Sequence, residues 1–155
     1  MSMATDRLKL ERALEVCLGH SDALQDALKD LEGKHFSAAE LVALSSGDRR
    51  LLDQFAYRFT RLQGDMGGRL FPALLGALGE EIAAMSVIDR LNRLEQLGWI
   101  PLSEEWLELR RIRNEFAHDY PENPGLHLVR LRQAMAAGQR LMEILGTIAR
   151  GKQNI

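Results

Sequence analysis

The sequence predicts an all-α fold, an antiparallel up-and-down bundle of four long helices plus one or two short ones. Leu, Ala, Arg and Glu dominate the chain and β-branched residues are sparse, which favours helices. Apolar residues recur at spacings of three and four, the period of one helix face. Short connections between these segments favour antiparallel neighbours. We expect a single domain over residues 1–150, with a frayed tail from Gly151 to Ile155.

The first long helix is expected to start at an N-cap, Thr5, and to run to about Glu32, where Gly33 is the stop signal. A break at Gly19 is the alternative, but the apolar stripe keeps its phase through that position. The stripe consists of Leu10, Leu14, Cys17, Ser21, Leu24, Leu28 and Leu31.

A short helix and a second long one are expected next. Ser37 is the predicted cap of a short helix within 36–44, and Asp48 is the predicted cap of the long helix. Gly67-Gly68 and Pro72 are expected to bend or end the long helix. We assign its apolar stripe to the core: Leu52, Phe55, Phe59, Leu62, Met66 and Leu70.

Capping residues also place the later helices. Ser86 is expected to cap a helix over 87–97, which Gly98 ends. Ser103 opens the next helix, and Asn123 followed by Pro124 starts the last one. The last helix has a heptad-like seam of Leu128, Leu131, Met135, Met142, Leu145 and Ala149, with Gly138 in phase.

Composition narrows the function classes. The net charge of −2 gives no global signal for nucleic acid, so any RNA contact needs a local patch or one assembled across a dimer. The single cysteine, Cys17, occupies an apolar helical position and is interpreted as a core residue. One cysteine cannot form an internal disulfide, which is consistent with a reducing cytoplasm. No signal peptide and no apolar run of about 20 residues is present, so no membrane association is expected.

No motif indicates a bound metal or cofactor, and none is expected. The segment 67–69 is able in principle to approach a phosphate, but no strand precedes it and no Lys-Ser or Lys-Thr pair follows it. No Cys/His cluster has zinc spacing. His20 and His35 are interpreted as surface residues, and so is His127, for which a second contact to the site is the alternative.

The segment from Arg110 to Pro121 indicates chemistry rather than packing. Arg110, Asn114 and His118 are spaced by four and share a helix face. Arg113 lies five residues before His118, about 140° around a helix. The two side chains can converge because arginine is long and His118 falls at the predicted helix end, or because each meets its counterpart in a second subunit. The alternative is a solvated face on which these arginines pair with nearby glutamates, while His118 caps the helix C-terminus.

The string Arg113-Asn114-Glu115-Phe116-Ala117-His118-Asp119-Tyr120 resembles the Arg-x4-His-x-Tyr motif of HEPN-domain proteins. It is most similar to the toxin subunits that pair with minimal nucleotidyltransferases in bacterial type VII toxin–antitoxin modules. The chain departs from that pattern in its lack of overall basic charge and in the side chains of Phe116 and Ala117.

The resemblance implies a cytoplasmic, homodimeric, metal-independent endoribonuclease. The resemblance assigns His118 the role of general base or acid and Arg113 that of holding the phosphate, with Asn114 and Arg110 as supporting residues for these two side chains. Attack by the ribose 2′-hydroxyl restricts cleavage to RNA, with tRNA as one possible substrate. It also implies that a nucleotidyltransferase antitoxin neutralises the protein by adenylylating Tyr120. The alternative is a non-catalytic HEPN subunit that helps a nucleotidyltransferase bind its substrate.

Overall fold

The structure is a computed structural model that describes residues 2–117 and 123–155. All regular secondary structure within these residues is helical, which confirms the predicted all-α class. The elements are α1 (Met3–Glu32), α2 (Ala38–Val42), α3 (Ser46–Asp65), a π-helical turn (Met66–Leu70, the π-turn), α4 (Phe71–Ala77), a 3₁₀ turn (Ile82–Ala84), α5 (Val87–Gln96), α6 (Ser103–Phe116) and α7 (Pro124–Lys152).

Neighbouring long helices run antiparallel, although the π-turn, α4 and α5 stand between α3 and α6 in the chain. The C-terminal part of each helix contacts the N-terminal part of its neighbour, in the order α1, α3, α6 and α7. Ion pairs mark the directions: Lys34–Asp48 (2.7 Å) and His20–Asp65 (3.2 Å) along α1 and α3, and Arg140–Glu105 (3.0 Å) and Arg130–Glu115 along α6 and α7. None of the helices in the described part of the chain combines the length and apolarity that a membrane crossing requires.

Aromatic residues hold α6 at both of its ends. Trp106, in its first turn, lies 4.5 Å from Phe71 between ring centroids, and Phe116, in its last turn, packs edge-on against Phe55 and Phe59 at 5.7 and 5.9 Å. Burying one such side chain contributes about 1.5–3 kcal/mol. These two anchors fix the rotation of α6 and therefore the direction in which residues 110–114 point.

Most predicted helix boundaries are confirmed, and two N-caps are wrong by three residues. Ser2 rather than Thr5 caps α1, and Ser45 rather than Asp48 caps α3. Each serine hydroxyl accepts from the backbone N–H three residues on, at 3.2 and 3.1 Å. Both predicted caps are therefore third helical residues, where a short polar side chain is also favourable. Helix α1 is continuous through Gly19, as the stripe indicates.

Helix α3 ends at Asp65, directly before the segment that contains the glycine pair, and the helical path continues through the π-turn into α4. Pro72 has no N–H to donate, and in an α-helix its ring would clash with the carbonyl of residue 68. A widened π-turn in front of the proline accommodates both effects. Gly67 also allows close packing, since a Cβ there would lie 3.2 Å from Trp106 Cζ2.

The last residues of the chain contact the first helix. Helix α7 continues to Lys152, and Arg7 Nη2 donates to the Ile155 carbonyl oxygen at 2.9 Å. Gly151 lies directly against Trp99. The seam of α7 is also broader than predicted, because the helix packs on several neighbours; its buried residues are Leu131, Ala134, Ala137, Gly138, Leu141, Ile144, Leu145 and Ile148.

Candidate functional site

The arginines of α6 separate into two environments. Arg111 pairs with acids on its own helix: its Nε donates to Glu108 Oε2 at 2.9 Å and its Nη1 to Glu115 Oε1 at 2.7 Å. The hydrogen bond from Arg111 lowers the pKa of Glu108, and the same pairing raises the pKa of Arg111. The solvated-face alternative therefore describes Arg111 correctly.

Arg110 and Arg113 face a different surface, where they line a cleft of about 320 Å³ with Arg90 of α5. We call it the arginine cleft. Its other walls include Gln63 at the end of α3 and Gly68 of the π-turn. A Cβ at Gly68 would meet nothing within 4 Å, so the backbone there is open to the cleft.

Hydrogen bonding to the three guanidinium groups is incomplete. Arg113 Nη1 donates to Asn114 Oδ1 at 2.8 Å, and Arg90 Nη2 donates to the Ile82 carbonyl oxygen at 3.1 Å. The Nε groups of Arg90 and Arg113 are buried without a hydrogen-bond partner in the described chain. An unpartnered buried donor costs about 1–3 kcal/mol, and a site that binds an anion is one recognised reason to keep it.

The arginine cleft is strongly cationic even though the chain has a net charge of −2. No carboxylate among residues 2–117 and 123–155 lines it, so three positive charges share one concave surface. Guanidinium groups bind phosphate in a planar, two-pronged geometry. A cleft lined by charges of one sign concentrates ligands of the opposite sign. The cleft therefore has the chemistry of a phosphate-binding site.

Three of the predicted site residues lie at or beside the arginine cleft, and two lie outside the described residues. Arg110 and Arg113 meet at the arginine cleft, and Asn114 contacts Arg113. His118 and Tyr120 lie outside the described residues, so the pairing of Arg113 with His118 stays a prediction. Helix α6 ends just before them at Phe116, and the Ala117 N–H donates to the Arg113 carbonyl oxygen at 3.1 Å.

Sequence reasoning missed Arg90 and misjudged His20. Arg90 had no signal, because it joins the cleft only when α5 packs beside α6. His20 is buried rather than at the surface: Arg58 Nη1 lies 3.0 Å from its Nδ1, and Asp65 Oδ2 lies 3.2 Å from its Nε2. An arginine can only donate, so Nδ1 accepts and Nε2–H faces Asp65. Burial lowers the pKa of His20, with Asp65 opposing that effect.

The other predicted residues have these positions. Cys17 is fully buried, as predicted, and burial raises the pKa of its thiol to about 12. His35 is exposed, whereas His127 is half-buried and lines a separate cavity of about 450 Å³ beside Phe116 and Ala117. Within the described ranges, no three His, Cys, Asp or Glu residues come together in a group that could hold a metal ion.

Comparisons with protein-family models, with curated proteins and with solved structures found no match for this chain.

Proposed function

We propose that this protein is a metal-independent endoribonuclease of the HEPN kind, acting as the toxin of a toxin–antitoxin pair. One observation supports the proposal most. Arg113, the arginine of the Arg-x4-His-x-Tyr motif, lies in a cleft with two more arginines and no carboxylate among the described residues. Arg111, only two residues away, pairs with glutamates instead. The motif arginine is thus available to a phosphate, whereas Arg111 is paired with acids.

In the proposed reaction, a ribose 2′-hydroxyl attacks the adjacent phosphorus. His118 takes the 2′-hydroxyl proton, the bond from O2′ to phosphorus forms, and the bond from phosphorus to O5′ breaks. His118 of the partner subunit gives a proton to the departing O5′. The products are a 2′,3′-cyclic phosphate and a 5′-hydroxyl. Arg113 holds the phosphate, and its guanidinium stabilises the extra negative charge of the transition state.

Two groups support Arg113 in this proposal. Asn114 accepts a hydrogen bond from Arg113 Nη1, which limits the rotation of the guanidinium. Arg110 and Arg90 raise the positive potential of the cleft and help to attract the strand. Removing either is expected to weaken RNA binding more than it slows the chemical step.

Control by a nucleotidyltransferase is the second half of the proposal. Tyr120 stands seven residues after Arg113 in the sequence. An AMP group attached to it would bring a negative charge and a bulky base close to the motif and compete with the RNA phosphate. Tyr120→Phe is expected to keep nuclease activity and to escape inactivation on co-expression with the nucleotidyltransferase. Mass spectrometry that finds AMP on another residue would remove this assignment.

The direct test is RNA cleavage by the purified protein in the presence of a chelator. We expect products with 2′,3′-cyclic phosphate and 5′-hydroxyl ends. Arg113→Gln and His118→Ala should lower the rate by at least about a hundredfold, the range for loss of one charge-stabilising or proton-transferring group. Arg111→Gln is the matched control, since it removes an arginine of the same helix that contacts only acids; its rate should stay within about twofold of wild type.

Two outcomes would overturn the nuclease assignment. Cleavage that requires a divalent metal and leaves other ends would mean a different mechanism. Absence of cleavage by wild-type protein, together with tight binding to a nucleotidyltransferase, would favour the non-catalytic subunit.

A further inference from the structure

A second cationic cleft of about 410 Å³ lies on the other side of Pro72. Arg69 of the π-turn and Arg12 of α1 contribute its exposed arginines, and Lys9 adds a third cation. Asp6 is the one carboxylate that lines it among the described residues. We call it the Arg12–Arg69 cleft.

The arginines of this cleft are not committed to other contacts. Neither Arg12 nor Arg69 has a hydrogen bond or ion pair with any group in the described ranges, although acidic residues outnumber basic ones, 22 to 20. Arg93 and Arg140 have such partners, Glu80 at 2.7 Å and Glu105 at 3.0 Å, whereas the exposed Arg50 and Arg132 also have none in the described ranges. What is particular to Arg12 and Arg69 is that they line one cleft together, so the surface around Pro72 is a local basic patch, the footprint expected of a nucleic-acid surface.

The π-turn makes the two clefts neighbours. Gly67 and Gly68 line the arginine cleft, Arg69 lines the Arg12–Arg69 cleft, and Pro72 lines both. Successive residues of one widened turn therefore face two clefts. Such turns recur at functional sites in helices. Because Pro72 lines both clefts, they are adjacent, and one flexible polyanion can contact both across this turn.

We infer that the Arg12–Arg69 cleft binds a second phosphate of the same single-stranded RNA whose reacting phosphate sits in the arginine cleft. This inference rests on the proposed nuclease function and deepens it, since it names the path of the substrate. Arg12 and Arg69 contribute affinity for longer strands and take no part in the reaction at Arg113. The effect is electrostatic, so it is expected to weaken with salt.

The test uses the His118→Ala variant, which should bind RNA without cutting it, and fluorescein-labelled single-stranded RNA of about 4 and about 16 nucleotides. Affinity is measured by fluorescence anisotropy over a range of salt concentrations. For the longer RNA, Arg12→Gln with Arg69→Gln should weaken binding on the order of tenfold at about 0.1 M salt. It should also reduce the salt slope by about 1.4, or about 0.7 for each lost phosphate contact. Binding of the short RNA should stay unchanged.

The matched control is Arg50→Gln with Arg132→Gln, which removes the same charge from two exposed arginines. Arg50 precedes Arg69 by 19 positions, roughly 30 Å along the helix at 1.5 Å per residue. This pair should bind both RNAs as the parent does. Circular dichroism of each variant checks that the fold is kept.

Several results would overturn the inference. One is an unchanged salt slope in the Arg12/Arg69 variant, and another is an equal loss in the control pair or with the short RNA. Loss of binding to phosphatidylglycerol vesicles with RNA binding intact would assign the patch to a lipid surface. If parent protein binds neither RNA at low salt, the proposed function fails as well; if it binds both and only the predicted difference is missing, the inference alone fails.

Discussion

Replacing His20 with leucine is expected to destabilise the bundle substantially, because His20 joins α1 to α3 through two polar contacts. Its Nδ1 accepts from Arg58 Nη1 at 3.0 Å, and its Nε2 faces Asp65 Oδ2 at 3.2 Å. Leucine fills most of the space but accepts and donates nothing. Asp65 Oδ2 then keeps only the more distant Arg61, at 3.7 Å, among its ion-pair partners in the described chain.

The expected cost is about 1–3 kcal/mol. The hydrogen bond to the charged Arg58 contributes about 1.5–3 kcal/mol, the ion-pair contact with Asp65 adds up to about 1 kcal/mol, and burial of the leucine side chain offsets part of that loss. For a chain of 155 residues, 1 kcal/mol corresponds to about 2–4 °C, so Tm should fall by about 2–12 °C. Urea and thermal unfolding followed by circular dichroism near neutral pH measure both quantities.

His35→Leu is the control, because His35 is exposed and should change stability by no more than about 0.5 kcal/mol. A double-mutant cycle with Asp65→Asn isolates the coupling between His20 and Asp65. If His20→Leu is as stable as wild type, or if the cycle shows no coupling, the contacts of His20 do not stabilise the fold and the reasoning is refuted.

Three further predictions follow from burial and packing. Because burial lowers the pKa of His20, the unfolded chain binds a proton at this residue at higher pH than the folded chain. The free energy of unfolding should therefore decrease as pH falls below about 6.5, and it should decrease less in His20→Leu. Urea titrations at several pH values measure this difference. Gly151→Ala would place a Cβ 2.6 Å from Trp99 Cζ3 and should destabilise the protein by about 1–3 kcal/mol. Gly19→Ala, with open space around the new Cβ, should stabilise it by about 0.5–1 kcal/mol. Opposite results in thermal unfolding would contradict the packing described for α7. The Cys17 thiol, with its pKa raised to about 12, should resist iodoacetamide in the native protein and react after unfolding in urea; rapid native labelling would contradict its burial.

The sequence predicted the fold correctly where local interactions determine the structure. Ser37, Ser86 and Asn123 cap the helices they were predicted to cap, because a side chain that satisfies a backbone N–H three residues on is a local arrangement. The same rule does not fix where a helix starts: Thr5 was predicted as the cap, and Ser2, three residues earlier, is an equally suitable residue.

The candidate site was harder to predict from the sequence, because it depends on which helices pack against each other. The motif spacing drew attention to Arg113, but the separation of Arg113 from Arg111 is set by the rotation of α6, which Trp106 and Phe116 fix through contacts with distant residues. Arg90 and the partners of His20 come from other helices, and periodicity within one helix carries no information about them.

The central claim is that Arg113 and its two neighbours in the arginine cleft bind the phosphate of an RNA strand. NMR of the arginine Nε–Hε groups in His118→Ala protein, titrated with a short single-stranded RNA, tests it most directly. We predict large shifts for Arg90, Arg110 and Arg113 and none for Arg111, which pairs with Glu108 and Glu115. Shifts centred on Arg111 or on arginines away from the cleft, with Arg113 unmoved, would contradict the claim.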